Sequence, residues 1–199
     1  MKIILSLLFL SIPLFLFAEV DPHTVYTKDR FFVTTGEIDL QKSIDEVSIA
    51  LLKYNEYSQW ALNGMQGIDK ESEGLIAYFT EINYLAESNL FLITFDLNLI
   101  WPFGRKGVEL KFSPHQEYSE TGQLKSIKMN PLLGTKLVQE ANLEFSLKED
   151  RNGVSIVYNS RIKLSEFVDF FFSLRSYKKN FEWYVYKVAD NLSLYLEGK

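Results

Sequence analysis

Hydrophobic and polar positions along this chain follow a strand-like rhythm, then a helical one, then a strand-like one again. Residues 31–40 carry Phe32, Val33, Thr34 and Thr35 in sequence, side chains that favour a pleated backbone, and predict a strand. Ser43, Ile44, Asp45 and Glu46 have the form of a capping box, in which the serine hydroxyl accepts the Glu46 amide and the glutamate carboxylate accepts the serine amide. The box opens a helix on which Ile44, Val47, Leu51 and Tyr54 recur at helical spacing. A second short helical turn over 56–62 carries Trp60, and Gly64 and Gly67 end it.

Beyond Gly67 the period drops to two. Ile76, Tyr78, Thr80, Ile82 and Tyr84 are expected on one face of a strand over 74–84, and Phe91, Ile93, Phe95, Leu97, Leu99 and Trp101 on one face of a strand over 89–101. Turns at Glu87, Ser88 and Asn89, at 102–107, and at Thr121 and Gly122 lead into strands holding Val108, Leu110 and Phe112 and then Leu124, Ile127 and Met129. A looser stretch over 130–139 follows. The clearest hairpin is the last: Ala141, Leu143, Phe145 and Leu147 alternate with polar residues, Asn152 and Gly153 turn the chain, and Ile156, Tyr158, Ser160, Ile162 and Leu164 alternate on the return. A long helix starting near Ser176 runs to about Leu196, with Phe181, Tyr184, Val185, Val188, Leu192 and Tyr195 as its apolar stripe and Gly198 as its stop.

These elements predict an α+β fold: seven antiparallel strands, two short helices after the first, and a long C-terminal helix covering the apolar face of the sheet. Residues 1–18 have the charged start, apolar run and Ala18 exit of a signal peptide, although Leu16 stands where a cleavage site prefers a small residue. The competing reading, an uncleaved anchor, is disfavoured by a run short of about 20 residues and broken by Pro13. Residues 19–30 read as an arm and 31–199 as one domain. A periplasmic or secreted location is the expectation. With no cysteine in 199 residues, disulfides, thiolate metal sites and lipid attachment through cysteine are excluded. A net charge of -5 with no basic block argues against nucleic acid as a partner.

The order of elements resembles the START-like superfamily, also called the SRPBCC or helix-grip fold, which includes lipid-transfer and polyketide-cyclase-like proteins. The likeness is carried by Ser43, Ile44, Asp45, Glu46 and Val47 followed by the run from Tyr54 to Trp60, by Trp101, Pro102 and Phe103 before Arg105, Lys106, Gly107 and Val108, and by the closing stretch from Phe181 to Leu196. An acidic residue that START-type chains carry after the arginine is missing. The resemblance implies a curved sheet wrapped round the last helix, with an elongated cavity between them for an apolar or amphipathic molecule. It brings no shared catalytic residue set.

Candidate chemistry is sparse. His23 and His115 are too few for a histidine-rich metal site, and the pairing of His115 with Glu117 is outweighed by a solvated loop histidine. Gly104, Arg105, Lys106 and Gly107 lack the spacing of a phosphate loop, so no cofactor is called for. Ser160 has no histidine nearby in sequence and makes a poor nucleophile. An aromatic content of 15% is the unusual number, and it fits a large apolar interior or cavity. Expected polar groups on the inner face are Tyr78, Thr80, Tyr84, Tyr158 and Ser160, with Phe95, Trp101, Phe145, Phe181 and Tyr184 as apolar walls. Phe167, Val168, Asp169, Phe170, Phe171 and Phe172 cannot all be hidden on one stripe and read as a lid, a membrane-touching edge or buried filler. The leading expectation is a binding protein for a hydrophobic small molecule or lipid. The alternatives are a cyclase-like or hydrolytic enzyme using a cavity tyrosine or carboxylate, and an interaction or stress domain with a vestigial cavity.

Overall fold

The computed structural model describes residues 21–65, 76–99, 104–132, 137–150 and 153–198. The signal segment 1–18 and Trp101 lie outside them. The strands are β1 (His23–Tyr26), β2 (Phe32–Leu40), β3 (Ala77–Leu85), β4 (Leu90–Leu97), β5 (Arg105–Tyr118), β6 (Leu124–Pro131), β7 (Val138–Glu149) and β8 (Val154–Leu164). The helices are α1 (Ile44–Leu52), α2 (Tyr57–Trp60), α3 (Glu166–Phe171) and α4 (Leu174–Leu196). All eight strands form one antiparallel sheet in the order β1-β2-β8-β7-β6-β5-β4-β3, so α1 and α2 carry the chain from one side of the sheet to its far edge. Among the described residues no helix is long and apolar enough to cross a membrane.

Local signals place the elements much as expected. The capping box at Ser43 forms in full, with the Glu46 amide 3.3 Å from Ser43 Oγ and the Ser43 amide 3.0 Å from the Glu46 carboxylate. The β7–β8 hairpin closes where the turn residues require it. Gly153 has φ +150°, and a Cβ there would sit 2.1 Å from the Leu40 carbonyl oxygen, so only glycine fits. That turn sets the register, pairing Leu147 with Ile156, Phe145 with Tyr158, Leu143 with Ser160 and Ala141 with Ile162.

Three expectations change. The arm over 19–30 contains β1, which pairs with β2 and makes the sheet eight-stranded. The 167–172 run contains a helix, α3, begun by Ser165, whose hydroxyl accepts the Val168 amide. The expected single face of β3 is corrected: a β-bulge between Phe79 and Glu81 adds one residue, so Phe79, Ile82 and Tyr84 stand opposite Phe95, Ile93 and Phe91, while Tyr78 stands opposite Asp96. One extra residue in a period of two sends the side chains before the bulge to the other side.

Candidate functional site

Rows of directly paired residues run across the sheet and share its helix-facing side. One row is Thr24, Thr34, Ser160 and Leu143, and the next is Gly36, Tyr158, Phe145 and Ile127. The row on the other side of Ser160 holds Phe32 and Ile162, and Phe32 is covered by Tyr177 of α4, whose ring lies parallel to it at 4.0 Å. Tyr177 in turn stacks on Phe181 at 5.4 Å. The helix therefore crosses above β1 and β2 with aromatic contact at its start.

Side chains of α4 also hold the edge strand. The Asn180 side-chain oxygen accepts the amides of Ile76 at 2.8 Å and Ala77 at 2.9 Å, while its nitrogen donates to the Ser176 carbonyl. The Tyr184 hydroxyl accepts the Phe79 amide at 3.1 Å and donates to the Ala77 carbonyl at 3.2 Å. Farther along, Asn191 donates to the carbonyls of Ala61 and Asn63, and the Tyr195 hydroxyl meets the Glu56 carboxylate. The helix is fixed along its length by polar contacts rather than by apolar packing alone.

Beneath it the burial of apolar side chains is incomplete. Ile93, Leu110, Leu143 and Phe145 of the sheet and Phe181 and Val185 of α4 belong to the margin of the main apolar cluster, yet each is only partly buried. Around them Phe91, Ile127, Ile156 and Tyr158 are fully buried. These side chains form a partly open apolar margin of the kind a ligand could fill.

Its polar groups are not those expected from β3. Tyr78 packs with Leu62, Met65 and Tyr184 in a separate cluster. The Thr80 hydroxyl donates to the Thr94 carbonyl, and the Tyr84 hydroxyl turns out to Asn89 at the β3–β4 turn. Phe95 is buried with Leu97, Val168, Phe172 and Tyr177. Phe145 and Phe181 belong to this partly open margin, and Tyr184 is committed to the edge strand. Tyr158 and Ser160 lie on the helix-facing side as expected, 3% and 0% exposed, and neither hydroxyl has a hydrogen-bond partner among the described residues. The Tyr177 hydroxyl, absent from the sequence reading, is in the same condition at 5% exposure. Its position four residues before Phe181 and seven before Tyr184 is the helical signal that would have found it.

Burial raises the pKa of all three aromatic hydroxyls above that of a free tyrosine, Tyr184 to about 12 and Tyr158 and Tyr177 further. Neighbouring carboxylates, Glu182 and then Asp21, add to the effect at Tyr158, and Tyr158 itself adds to it at Tyr177. These phenols are donors at neutral pH, not bases.

The remaining chemistry is structural. Among the described residues no three His, Asp or Glu side chains gather into a metal-binding group. His115 is exposed in β5, and the Glu117 carboxylate pairs with Lys128 at 2.6 Å, which with the Ser126 hydroxyl lowers its pKa. Arg161 and Lys163 lie over the Phe31 ring, away from that margin. Val168 of α3 and Phe172 just beyond it are buried while Phe167 and Phe170 are 49% and 84% exposed, so the expectation of membrane contact falls on those two.

No family model matches the chain, and no curated protein matches it in sequence. Solved structures match it in shape. A conserved protein from Geobacillus kaustophilus superposes with a TM-score of 0.58 at 10% identity, over 83% of this chain and 95% of its own. The aromatase/cyclase Zhui from a Streptomyces species matches with a TM-score of 0.50 at 9% identity, over 84% of this chain and 93% of that one. The di-domain aromatase/cyclase BexL matches with a TM-score of 0.51 at 7% identity, over 85% of this chain and 51% of its own, so this chain spans about half of that protein. Element order, sheet order and these likenesses define a START-like, helix-grip fold.

Proposed function

We propose that the protein is an exported binding protein that holds or carries a hydrophobic molecule, a lipid among the candidates, between the sheet and α4 without altering it. The observation that carries this reading is the set of apolar side chains, Ile93, Leu110, Leu143, Phe145, Phe181 and Val185, that face each other across the helix–sheet boundary and are left partly open. Export rests on the sequence of residues 1–18 and gives the binding a use, since an apolar molecule crosses an aqueous compartment poorly without a carrier.

Fold neighbours named as aromatase/cyclases support the alternative of an enzyme. The raised pKa values of Tyr158, Tyr177 and Tyr184 weigh against it, because none of these phenols would serve as a base near neutral pH. The test is native mass spectrometry of the protein purified from its own cells, followed by solvent extraction. We expect a bound apolar species released on extraction. A ligand-free mass, together with failure to bind any apolar dye, would refute the reading.

A further inference from the structure

We propose that the space beneath α4 is polarised, and that Tyr158, Ser160 and Tyr177 form a hydrogen-bonding end that takes the neutral oxygen, hydroxyl or carbonyl, of an amphipathic ligand whose chain lies along Leu143, Phe145, Leu110 and Ile93. This rests on the ligand-binding reading above and deepens it.

The division runs across the sheet. In one row Thr24, Thr34 and Ser160 are all hydroxyl-bearing and are followed by Leu143; in the next, Tyr158 is followed by Phe145. In these two rows hydroxyls therefore stand on β1, β2 and β8 and apolar side chains from β7 onward, while the rows on either side carry Phe32, Ile162, Ile38 and Ile156. Thr24 and Thr34 satisfy one another at 2.9 Å. Ser160 and Tyr158, two residues apart on one face of one strand and so about 7 Å apart, do not find partners among the described residues. Tyr177 reaches the same end from α4, where it lies on Phe32, the β2 residue next to Thr34 on that face.

A buried hydroxyl without a partner is costly, and three on neighbouring side chains beneath α4 mark a place where a partner is supplied from outside the chain. Other buried polar atoms lack partners too, among them Trp60 Nε1, but Trp60 packs on Tyr195, eighteen residues and about 27 Å along α4 from Tyr177. It is a single atom at the opposite end.

Charge decides between a neutral and an ionised ligand. Every charged group that acts on the Tyr158 hydroxyl is a carboxylate, Glu182 and Asp21. An anionic head group placed here would be buried beside these carboxylates, only one of which, Glu182, has a cation near it, Lys178 at 3.8 Å, whereas a hydroxyl or carbonyl oxygen would accept from the phenols without that penalty. Gly36 makes the arrangement feasible: a Cβ there would lie 2.5 Å from the Tyr158 ring, so glycine is what lets the phenol cross β2.

The experiment compares dodecanol, dodecanoate and dodecane by displacement of a fluorescent apolar dye from the full-length mature protein. Wild type is expected to bind dodecanol about tenfold more tightly than either of the others. Tyr158→Phe with Tyr177→Phe is expected to bring dodecanol to the affinity of dodecane while leaving dodecane unchanged. The unliganded double variant should unfold at the same temperature as wild type or higher, because it loses only unpaired hydroxyls; Ser160→Ala, smaller still, provides a second variant with a partial loss. Equal binding of dodecanol and dodecane by wild type would overturn the polarised site and leave the apolar one standing. Tighter binding of dodecanoate than dodecanol would overturn the neutral head group. If none of the three displaces the dye, the binding reading fails and this inference with it.

Discussion

At the scale of single residues, the site depends on how Tyr158 and Gly36 share a volume. The phenol lies across β2 only because Gly36 has no Cβ, which would stand 2.5 Å from its ring. Gly36→Ala is expected to cost about 1–3 kcal/mol by overpacking, read from urea unfolding. The cost should shrink when Tyr158→Leu is added, and full additivity of the two changes would contradict the contact. Tyr158 and Ser160 were legible in the sequence because the Gly153 turn pins their register and a period of two then assigns their face. Tyr78 and Thr80 were misplaced for the converse reason: a bulge leaves no compositional mark in an alternating strand, so the assigned face holds only from Ile82 onward, and Tyr84, on that face, turns its hydroxyl out to Asn89. Tyr177 was missed because the apolar stripe was read as beginning at Phe181, one turn too late.

At the scale of elements, α4 depends on its polar contacts with β3. Asn180 accepts two amides of that strand from a position 5% exposed, so Asn180→Ala would leave both amides without an acceptor. The expected loss is about 1–3 kcal/mol. Hydrogen exchange should show protection falling at Ile76 and Ala77 before it falls in the β7–β8 hairpin, and uniform loss would argue against a local tether. Nothing in the periodicity of α4 announces this role, since asparagine on a buried helix face reads as a break in the stripe. The helix itself was legible, but its start was read near Ser176. The cap is Ser173, whose hydroxyl accepts the Ser176 amide, and α4 begins at Leu174. Strand β1 escaped because its four residues include one buried side chain, Thr24, and show no alternation long enough to count. Helix α3 escaped because its apolar side chains divide between inside and outside, Val168 inward and Phe170 outward.

At the scale of the molecule, several exposed carboxylates are held in their charged form by the fold. Glu46 is bonded by the backbone and hydroxyl of Ser43, Glu56 by the Tyr195 hydroxyl and Lys53, and Glu117 by Lys128 and Ser126; each has its pKa lowered from 4.5. Because the folded values lie below the unfolded ones, the stabilisation is complete above that pH and is lost as pH falls through the folded values. Thermal unfolding followed against pH should show a plateau near neutrality and a decline in acid. Glu117→Gln should lie below wild type on the plateau and converge with it in acid, and a constant offset at all pH values would rule out the linkage.

The side chains that tether α4 have a further consequence. Asn180 and Tyr184 occupy backbone donors and acceptors over 76–79, which a strand from another molecule would otherwise use, and the opposite margin of the sheet is the four-residue β1. The first part of one border is thereby occupied and the other border is short, which leaves less template for growth by strand addition. The helix that closes the binding space thereby also helps keep one copy of the protein from being stitched to the next.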